Sequence, residues 1–317
     1  MPSMDAQLLS VMLALPGDRL VAPAFARGDW QGLRTFSEGA LASLEGDLPE
    51  HAEILRTDFA VAGHDGAQIL CRWYAPTGSA SQTPGAAIIY LHGGGMIAGS
   101  VALYDRTVAS YVSDTSVPML SVDYRRAPEH PHPTPVEDCV AALAWLRTNT
   151  AGLSVDPLRI AVMGDSAGGG LAAATALIAR DRGIPLAKQL LIYPMLDDRN
   201  TTPDPLLVPF AGWSYDDNYT GWHALLGDRI GTAEVPGAAA PARAADLAGL
   251  PDAYIEVGEL DIFRDESIRY AQRLVSSGSS SELHVHPGCP HGFDRIARGV
   301  SVAERARRDR LRVITQV

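Results

Sequence analysis

One serine in this sequence has neighbours that could make it a nucleophile. Ser166 is the centre of Gly164-Asp-Ser-Ala-Gly168, between an apolar run typical of a buried strand and an alanine-rich run typical of a helix. Strand, G-x-S-x-G turn and helix together are the context of a nucleophile elbow, in which a strained backbone exposes the serine hydroxyl. An ordinary glycine-rich turn can have the same spacing, so other residues must decide between the two interpretations.

The partners that a serine nucleophile needs follow it in the chain. A serine hydroxyl attacks well only when a base removes its proton. His291, within Gly288-Cys-Pro-His-Gly-Phe293, could be that base because imidazole titrates near neutral pH. A carboxylate on the other ring nitrogen would fix the tautomer and stabilise the imidazolium. Glu259 and Asp261 both follow a predicted strand and are the candidates.

A glycine run earlier in the chain could supply donors for an oxyanion. His92-Gly-Gly-Gly95 follows a continuous apolar run, and glycines leave their backbone N–H groups open to a substrate. This is the HGGG pattern of such donor loops. We interpret His92 as a hydrogen-bonding anchor of the loop and not as a base. No Lys-Ser or Lys-Thr follows the glycines, so a phosphate-binding loop is not indicated.

Periodic apolar runs predict the elements that must bring these residues together. Strands are predicted at 54–61, 68–74, 86–91, 119–122, 159–163, 189–193, 253–257 and 282–286. Helices are predicted at 103–114, 169–178, 265–276 and 300–314. A further helix is predicted to begin with a capping box at Thr134-Pro-Val-Glu137. The alternation predicts an α/β fold with a mostly parallel, eight-stranded sheet flanked by helices. The reactive residues follow strands, where ligands bind in such sheets.

Two segments lie outside this alternation. Residues 1–50 show two helical stripes separated by Pro16-Gly17, and 195–235 interrupt the core with prolines, glycines and aromatic residues. We predict that they are a helical cap on a catalytic core formed by 51–194 and 236–317. Packing elements without a role at the site are the alternative. Loops are predicted at 77–85 and 239–245.

Composition restricts the partners and the compartment. The 317 residues carry a net charge of −11, which disfavours nucleic acid and anionic membranes. Three distant cysteines indicate neither a disulfide framework nor a zinc site. The N-terminus lacks the basic residues of a signal peptide, and no apolar run could span a bilayer. We therefore expect a cytoplasmic protein without stable membrane association, metal or cofactor.

These motifs together resemble the hormone-sensitive-lipase family of α/β-hydrolases, also called bacterial family IV esterases. The matching stretches begin near residue 86 and extend to the C-terminus. They are His92-Gly-Gly-Gly95, Asp123-Tyr-Arg-Arg-Ala-Pro-Glu129, Gly164-Asp-Ser-Ala-Gly-Gly169, Asp261-Ile-Phe-Arg-Asp-Glu266 and His291-Gly-Phe293. The chain departs from the family at Arg126, where leucine is usual, and at Met96, where an aromatic residue is common.

The resemblance implies an α/β-hydrolase fold with a helical cap and cofactor-free hydrolysis of carboxylic esters. It assigns Ser166 as nucleophile, Asp261 as acid and His291 as base. It implies that the oxyanion donors are the N–H groups of Gly94, Gly95 and Ala167. We expect the pocket for a small ester to be lined by Met96, Phe210, Trp213 and Tyr215.

Three other functions remain open at this point. A non-catalytic small-molecule binder could use the same fold, although the full set of reactive residues favours catalysis. An amidase or an acyltransferase could use the same residues, since leaving-group preference depends on pocket shape and water access. The sequence also leaves open whether the chain forms a homodimer.

Overall fold

An eight-stranded sheet organises the chain. The computed structural model describes residues 2–14, 25–78 and 83–317. The strands are β1 (Ile54–Ala62), β2 (Gln68–Pro76), β3 (Gly85–Leu91), β4 (Met119–Val122), β5 (Val155–Asp165), β6 (Lys188–Ile192), β7 (Ala253–Gly258) and β8 (Ser281–His286). Their order in the sheet is β1-β2-β4-β3-β5-β6-β7-β8. The β1–β2 and β2–β4 pairs are antiparallel, and the other pairs are parallel.

Helices flank this sheet. They are α1 (Ala6–Ala14), α2 (Trp30–Gly46), α3 (Asp105–Thr115), α4 (Thr134–Thr148), α5 (Thr150–Leu153), α6 (Ala167–Asp181), α7 (Tyr215–Leu226), α8 (Arg264–Ser276), α9 (Phe293–Ile296) and α10 (Ser301–Thr315). In the described part of the chain, every helix is too short or too polar to cross a membrane.

The predicted α/β fold with a mostly parallel sheet is confirmed, and each predicted strand is present. The largest difference concerns β5, which begins at Val155 and not at Arg159. Val155 pairs with Gly85 across an irregular register of the β3–β5 pair. Residues 157–159 of this strand are exposed, so no apolar run marked it as a strand.

The predicted capping box at Thr134 is wrong. Helix α4 does begin at Thr134, but Pro133 is its N-cap residue and no side chain caps the helix. Thr134 lies one position too far into the helix for its hydroxyl to cap the first turn. Glu137, the other half of the predicted box, instead accepts a hydrogen bond from Arg182 at 2.6 Å.

Smaller differences concern the ends of helices and the loops. The helix predicted at 103–114 is a 3₁₀ turn, Ala102–Tyr104, followed by α3. The predicted loop 239–245 contains the 3₁₀ turn Pro241–Arg243. Segment 195–235 holds α7 and two 3₁₀ turns joined by irregular backbone. The predicted break at Pro16-Gly17 and residues 79–82 of the predicted 77–85 loop lie outside the described residues.

The two N-terminal helices pack on the core near the ends of several strands. Leu8 of α1 is buried in a cluster with Phe293. Arg34 of α2 donates from Nε to the carbonyl oxygen of Ile97 at 2.5 Å. Its other guanidinium nitrogens form two bonds of 2.7 Å to the Glu129 carboxylate. Helix α2 is therefore fixed to the loops that follow β3 and β4.

Candidate active site

Ser166 lies in a tight turn between β5 and α6. Its φ is 56° and its ψ is −120°, a conformation uncommon for residues other than glycine. The backbones around it approach closely, because a Cβ on Gly168 would overlap the carbonyl oxygen of Leu91. The Ser166 N–H donates to the carbonyl oxygen of Ile192 at 2.9 Å, and the Ser166 carbonyl accepts from the Met195 N–H at 2.9 Å. These contacts hold the predicted elbow in place.

The structure brings Ser166, His291 and Asp261 together at the carboxyl ends of β5, β8 and β7. His291 Nε2 lies 3.0 Å from Ser166 Oγ, and His291 Nδ1 lies 2.7 Å from Asp261 Oδ2. Ser166 and Asp261 are both buried. With a proton on Nδ1, the imidazole donates to the carboxylate and can accept the serine proton at Nε2.

Of the two candidate carboxylates, only Asp261 contacts His291. The other Asp261 oxygen, Oδ1, accepts from the Phe263 N–H at 2.9 Å, which fixes the carboxylate. Glu259 instead accepts from the Gly288 N–H at 2.8 Å and so bonds to the loop that carries the histidine. Their position after β7 leaves this choice open and only the family resemblance favours Asp261, whereas the turn after the strand brings Asp261 to the imidazole.

The carboxylates around His291 hold its pKa above the ordinary value. Burial favours the neutral imidazole, but the negative charge of Asp261 and its hydrogen bond outweigh this effect. Asp165 and Asp294 add to the increase from a greater distance. The pKa of His291 therefore lies above that of an ordinary histidine, and the ring becomes a base only as the pH rises through this raised pKa.

The glycine loop after β3 is anchored by His92, as its motif predicts. His92 is fully buried, and its Nδ1 lies 2.9 Å from the carbonyl oxygen of Gly93. Its ring stacks on Tyr124, whose hydroxyl donates to the His92 carbonyl oxygen at 2.7 Å. Burial lowers the pKa of His92, so the ring stays neutral. Gly94 and Gly95 then follow with φ of 121° and 61°.

Segment 195–235 lies directly on this loop. A Cβ on Gly95 would overlap the indole of Trp213, and a Cβ on Gly221 of α7 would be 2.6 Å from the Gly95 carbonyl oxygen. The Trp213 ring and the α7 backbone therefore touch the Gly95 backbone. Of the four expected pocket residues, Trp213 is the one that the structure places against the glycine loop.

The other expected pocket residues occupy different environments. Met96 is buried, and its Cε would be 3.6 Å from a Cβ on Gly170, so its side chain lies against α6. Tyr215 is buried at the start of α7. Phe210 is half-buried in the 3₁₀ turn Val208–Phe210.

A buried acidic residue beside the serine was missed by the sequence reasoning. Asp165 accepts hydrogen bonds from the hydroxyls of Tyr90 at 2.9 Å and Tyr104 at 2.8 Å, and from the Gly93 N–H at 3.2 Å. Arg295 lies 3.6 Å from the same carboxylate. The signal was an acid within a motif that follows a buried strand, since a buried charge requires partners.

The two histidines of β8 and the nearby cysteine have structural environments. His284 contacts Glu282 at 2.7 Å, and His286 is buried inside β8. Cys289 is a buried free thiol. Across residues 2–14, 25–78 and 83–317, no group of three or more His, Cys, Asp or Glu side chains could hold a metal ion.

Comparisons with known proteins agree with this geometry. The model of the alpha/beta hydrolase fold family matches residues 88–295. Carboxylesterase NlhH of Mycobacterium tuberculosis is 37% identical over 269 residues, which cover 81% of this chain and 82% of that protein. Esterase LipI of the same organism is 36% identical over 309 residues, covering 96% and 92%.

The chain is a carboxylic ester hydrolase of the alpha/beta hydrolase fold family. Among solved structures, a bacterial heroin esterase superposes with a TM-score of 0.88 at 34% identity, over 99% of this chain and 98% of that one. The resemblance to the hormone-sensitive-lipase esterases is thereby confirmed.

The pH dependence of the esterase tests the role of Asp261. In the wild-type esterase, kcat/KM should rise with pH as His291 loses its proton, with a midpoint above the ordinary pKa of a histidine. Asp261→Asn should lower kcat by about 10⁴-fold, because the imidazole loses its orienting acceptor. Its acid limb should move to lower pH, since the charge that raises the pKa of His291 is gone. Initial rates on p-nitrophenyl butyrate from pH 5 to 9 measure both effects.

Glu259→Gln is the matched control. It removes a carboxylate after the same strand that does not contact His291, so kcat and the acid limb should change little. A large loss in Glu259→Gln with a near-normal Asp261→Asn would show that the wrong carboxylate has been assigned.

Proposed function

We propose that the esterase hydrolyses small carboxylic esters through an acyl-enzyme on Ser166, with His291 as the base and Asp261 as its orienting acid. The observation that carries the proposal is the hydrogen-bond path from Asp261 through His291 to Ser166, with steps of 2.7 and 3.0 Å. Nucleophilic catalysis requires a nucleophile and a base within this reach, and a third group that orients the base.

In the first half-reaction, Ser166 Oγ attacks the carbonyl carbon of the ester while His291 Nε2 takes the hydroxyl proton. The tetrahedral intermediate carries its negative charge on the former carbonyl oxygen. As it collapses, the imidazolium gives its proton to the alcohol oxygen, and the bond between that oxygen and the acyl carbon breaks. The alcohol leaves, and the acyl group stays on Ser166.

In the second half-reaction, His291 takes a proton from water, and the resulting hydroxide attacks the acyl carbon. The second tetrahedral intermediate collapses as the imidazolium returns the proton to Ser166 Oγ, which releases the carboxylic acid. Asp261 stays ionised throughout and stabilises the imidazolium at each transfer.

We assign the oxyanion donors to the N–H groups of Gly94, Gly95 and Ala167. Ala167 is the first residue of α6, where N–H groups have no intrahelical acceptor and the helix dipole is positive. Gly94 and Gly95 adopt positive φ in a loop that His92 and Tyr124 anchor, so their N–H groups are fixed before the charge develops.

We further propose that residues 1–50 and 195–235 act as one cap over this site. Two contacts support the pairing. Arg27 forms an ion pair of 2.5 Å with Asp216, and the Gly28 N–H donates to Thr220 Oγ1 at 3.0 Å. Because Trp213 touches Gly95, the cap contacts the glycine loop that would supply the oxyanion donors. An acyl group bound beside this loop therefore has limited room.

Removal of the nucleophile tests the proposed chemistry. Ser166→Ala should lower kcat on p-nitrophenyl acetate by about 10⁴- to 10⁶-fold, because no covalent intermediate can form. Circular dichroism and the melting temperature should match those of the wild type. Near-normal turnover by the purified variant would exclude Ser166 as the nucleophile.

The cap sets the acyl-chain preference in our account. On p-nitrophenyl esters from acetate to palmitate, kcat/KM should peak at a short chain. Each buried methylene adds about 0.8 kcal/mol until the pocket is full, and further ones stay in water or disturb packed side chains. Trp213→Ala should move the peak to longer chains.

Tyr219→Ala serves as the control for that variant. Tyr219 also lies in segment 195–235, but its ring packs against His223 and the Arg27 guanidinium, so the peak should not move. A wild-type preference for palmitate would contradict a small pocket, and an unchanged peak in Trp213→Ala would contradict the role of the indole.

A further inference from the structure

His291 is held between two aromatic rings. The Tyr193 ring lies edge-to-face with the imidazole at 4.8 Å between centroids and 69° between planes. The Phe263 ring lies at 5.1 Å and 85°. Such edge contacts are favourable and have a preferred orientation. Phe263 belongs to the same turn as Asp261, whereas Tyr193 directly follows β6, in a different segment of the chain.

The backbone at Tyr193 is strained and fixed against the nucleophile. Its φ of 34° is rare for an aromatic residue, and its N–H donates to the carbonyl oxygen of Glu256 at 2.6 Å. Ile192, directly before Tyr193, and Met195, two residues after it, make the two backbone hydrogen bonds to Ser166. The position of the Tyr193 ring is therefore tied to the backbone of Ser166. Strain of this kind persists where the surrounding structure enforces it.

The hydroxyl of Tyr193 links the ring to the segment that carries the histidine. It donates to Asp294 Oδ1 at 3.1 Å, and Asp294 Oδ2 accepts from Arg310 Nη1 at 2.6 Å. Asp294 follows His291 by three residues on the same chain segment. Burial raises the pKa of Tyr193 well above its ordinary value, so the phenol stays a neutral donor.

We propose that Tyr193 is a positioning residue that sets the plane of the His291 imidazole relative to Ser166. The inference rests on the proposed function, in which His291 is the base. The backbone around Tyr193 is hydrogen-bonded to the backbone of Ser166, and the Tyr193 ring contacts the imidazole of His291. Proton transfer between Ser166 and His291 depends on this alignment, and a displacement of about 1 Å can lower a rate by about a hundredfold.

A purely structural role for Tyr193 is the competing explanation, and the electrostatic surroundings of His291 distinguish the two. The carboxylates that face the imidazole are those of Asp261, Asp165 and Asp294, and Tyr193 adds no charge. Tyr193→Phe therefore changes no charge near His291. A shift in the acid limb of kcat/KM would then report that the ring had moved relative to these carboxylates. Movement away from Asp261 shifts the limb to lower pH.

Tyr193→Phe is a mild change because Tyr193 lines a cavity of about 300 Å³ that Asp294 and Arg310 also line. Water can occupy the vacated position and satisfy Asp294. Tyr111→Phe is the matched control. The Tyr111 hydroxyl accepts from the same Arg310 Nη1 at 2.9 Å, so its loss affects the same network. The Tyr111 ring packs instead near Tyr90 and Arg307.

The test measures kcat, KM and the pH profile on p-nitrophenyl butyrate for Tyr193→Phe, Tyr193→Leu and Tyr111→Phe. Tyr193→Leu should lower kcat by about a hundredfold with little change in KM, because the ring is lost without loss of a substrate contact. Tyr193→Phe should recover most of that loss and retain an acid limb shifted to lower pH. Tyr111→Phe should leave kcat and the acid limb unchanged.

Wild-type kcat and pH profiles in both Tyr193 variants would overturn the inference. Equal losses in Tyr193→Phe and Tyr111→Phe, with equal drops in melting temperature, would overturn it in favour of a structural role. If Tyr193→Leu does not fold, the comparison of the two phenylalanine variants still decides. His291→Ala distinguishes a failure of the proposed function from a failure of the positioning role. Full activity of His291→Ala would refute His291 as the base. An inactive His291→Ala together with fully active Tyr193 variants would refute only the positioning role.

Discussion

The close approach of α6 to the strands at its N-terminus is the constraint on which the site depends. Gly168 lies against the carbonyl oxygen of Leu91, and a Cβ on Gly164 would overlap the Gly168 backbone. Only residues without a side chain allow helix and strands this close. The turn between them then forces Ser166 to a positive φ and directs its hydroxyl to the rim where His291 and Asp261 meet.

Buried charges behind this turn connect the surrounding loops. Asp165 joins the elbow to Gly93 of the glycine loop, and Arg295 joins it to Glu45 at the end of α2. Arg310 is only 3% exposed and lies between Glu256 and Asp294. Removal of one partner from such a buried pair costs about 3–5 kcal/mol, because a charge is left uncompensated. The network therefore fixes the relative positions of the loops that carry the nucleophile, the base and the glycines.

The features that could be predicted from sequence are those with a local signal. Apolar runs located the eight strands, and the residues around Ser166 and His291 indicated their chemistry because turn glycines and strand ends lie beside them. The choice of Asp261 over Glu259 from geometry needs the path of the chain after β7, which no local pattern records. The contact of Trp213 with Gly95 joins segments far apart in sequence and depends on tertiary packing in the same way.

Other features depend on how polar groups find partners after folding. Thr134 matches a capping pattern, but the N-cap residue of α4 is Pro133. The pattern alone does not determine at which residue the first helical turn begins. Asp165, Arg295 and Tyr193 gave weak signals singly, and their roles become visible only when the carboxylates, guanidinium groups and rings are assembled around His291.

The account is tested most directly by locating the acyl group during turnover. The esterase would be mixed with p-nitrophenyl butyrate, quenched in acid within the first turnovers, digested and mapped by mass spectrometry. We predict a butyryl group on the peptide that contains Ser166, with fragment ions placing it on that residue, and none in Ser166→Ala. A butyryl group on another residue would contradict the proposed mechanism. So would the absence of any butyryl group from an active enzyme under conditions where deacylation is slow.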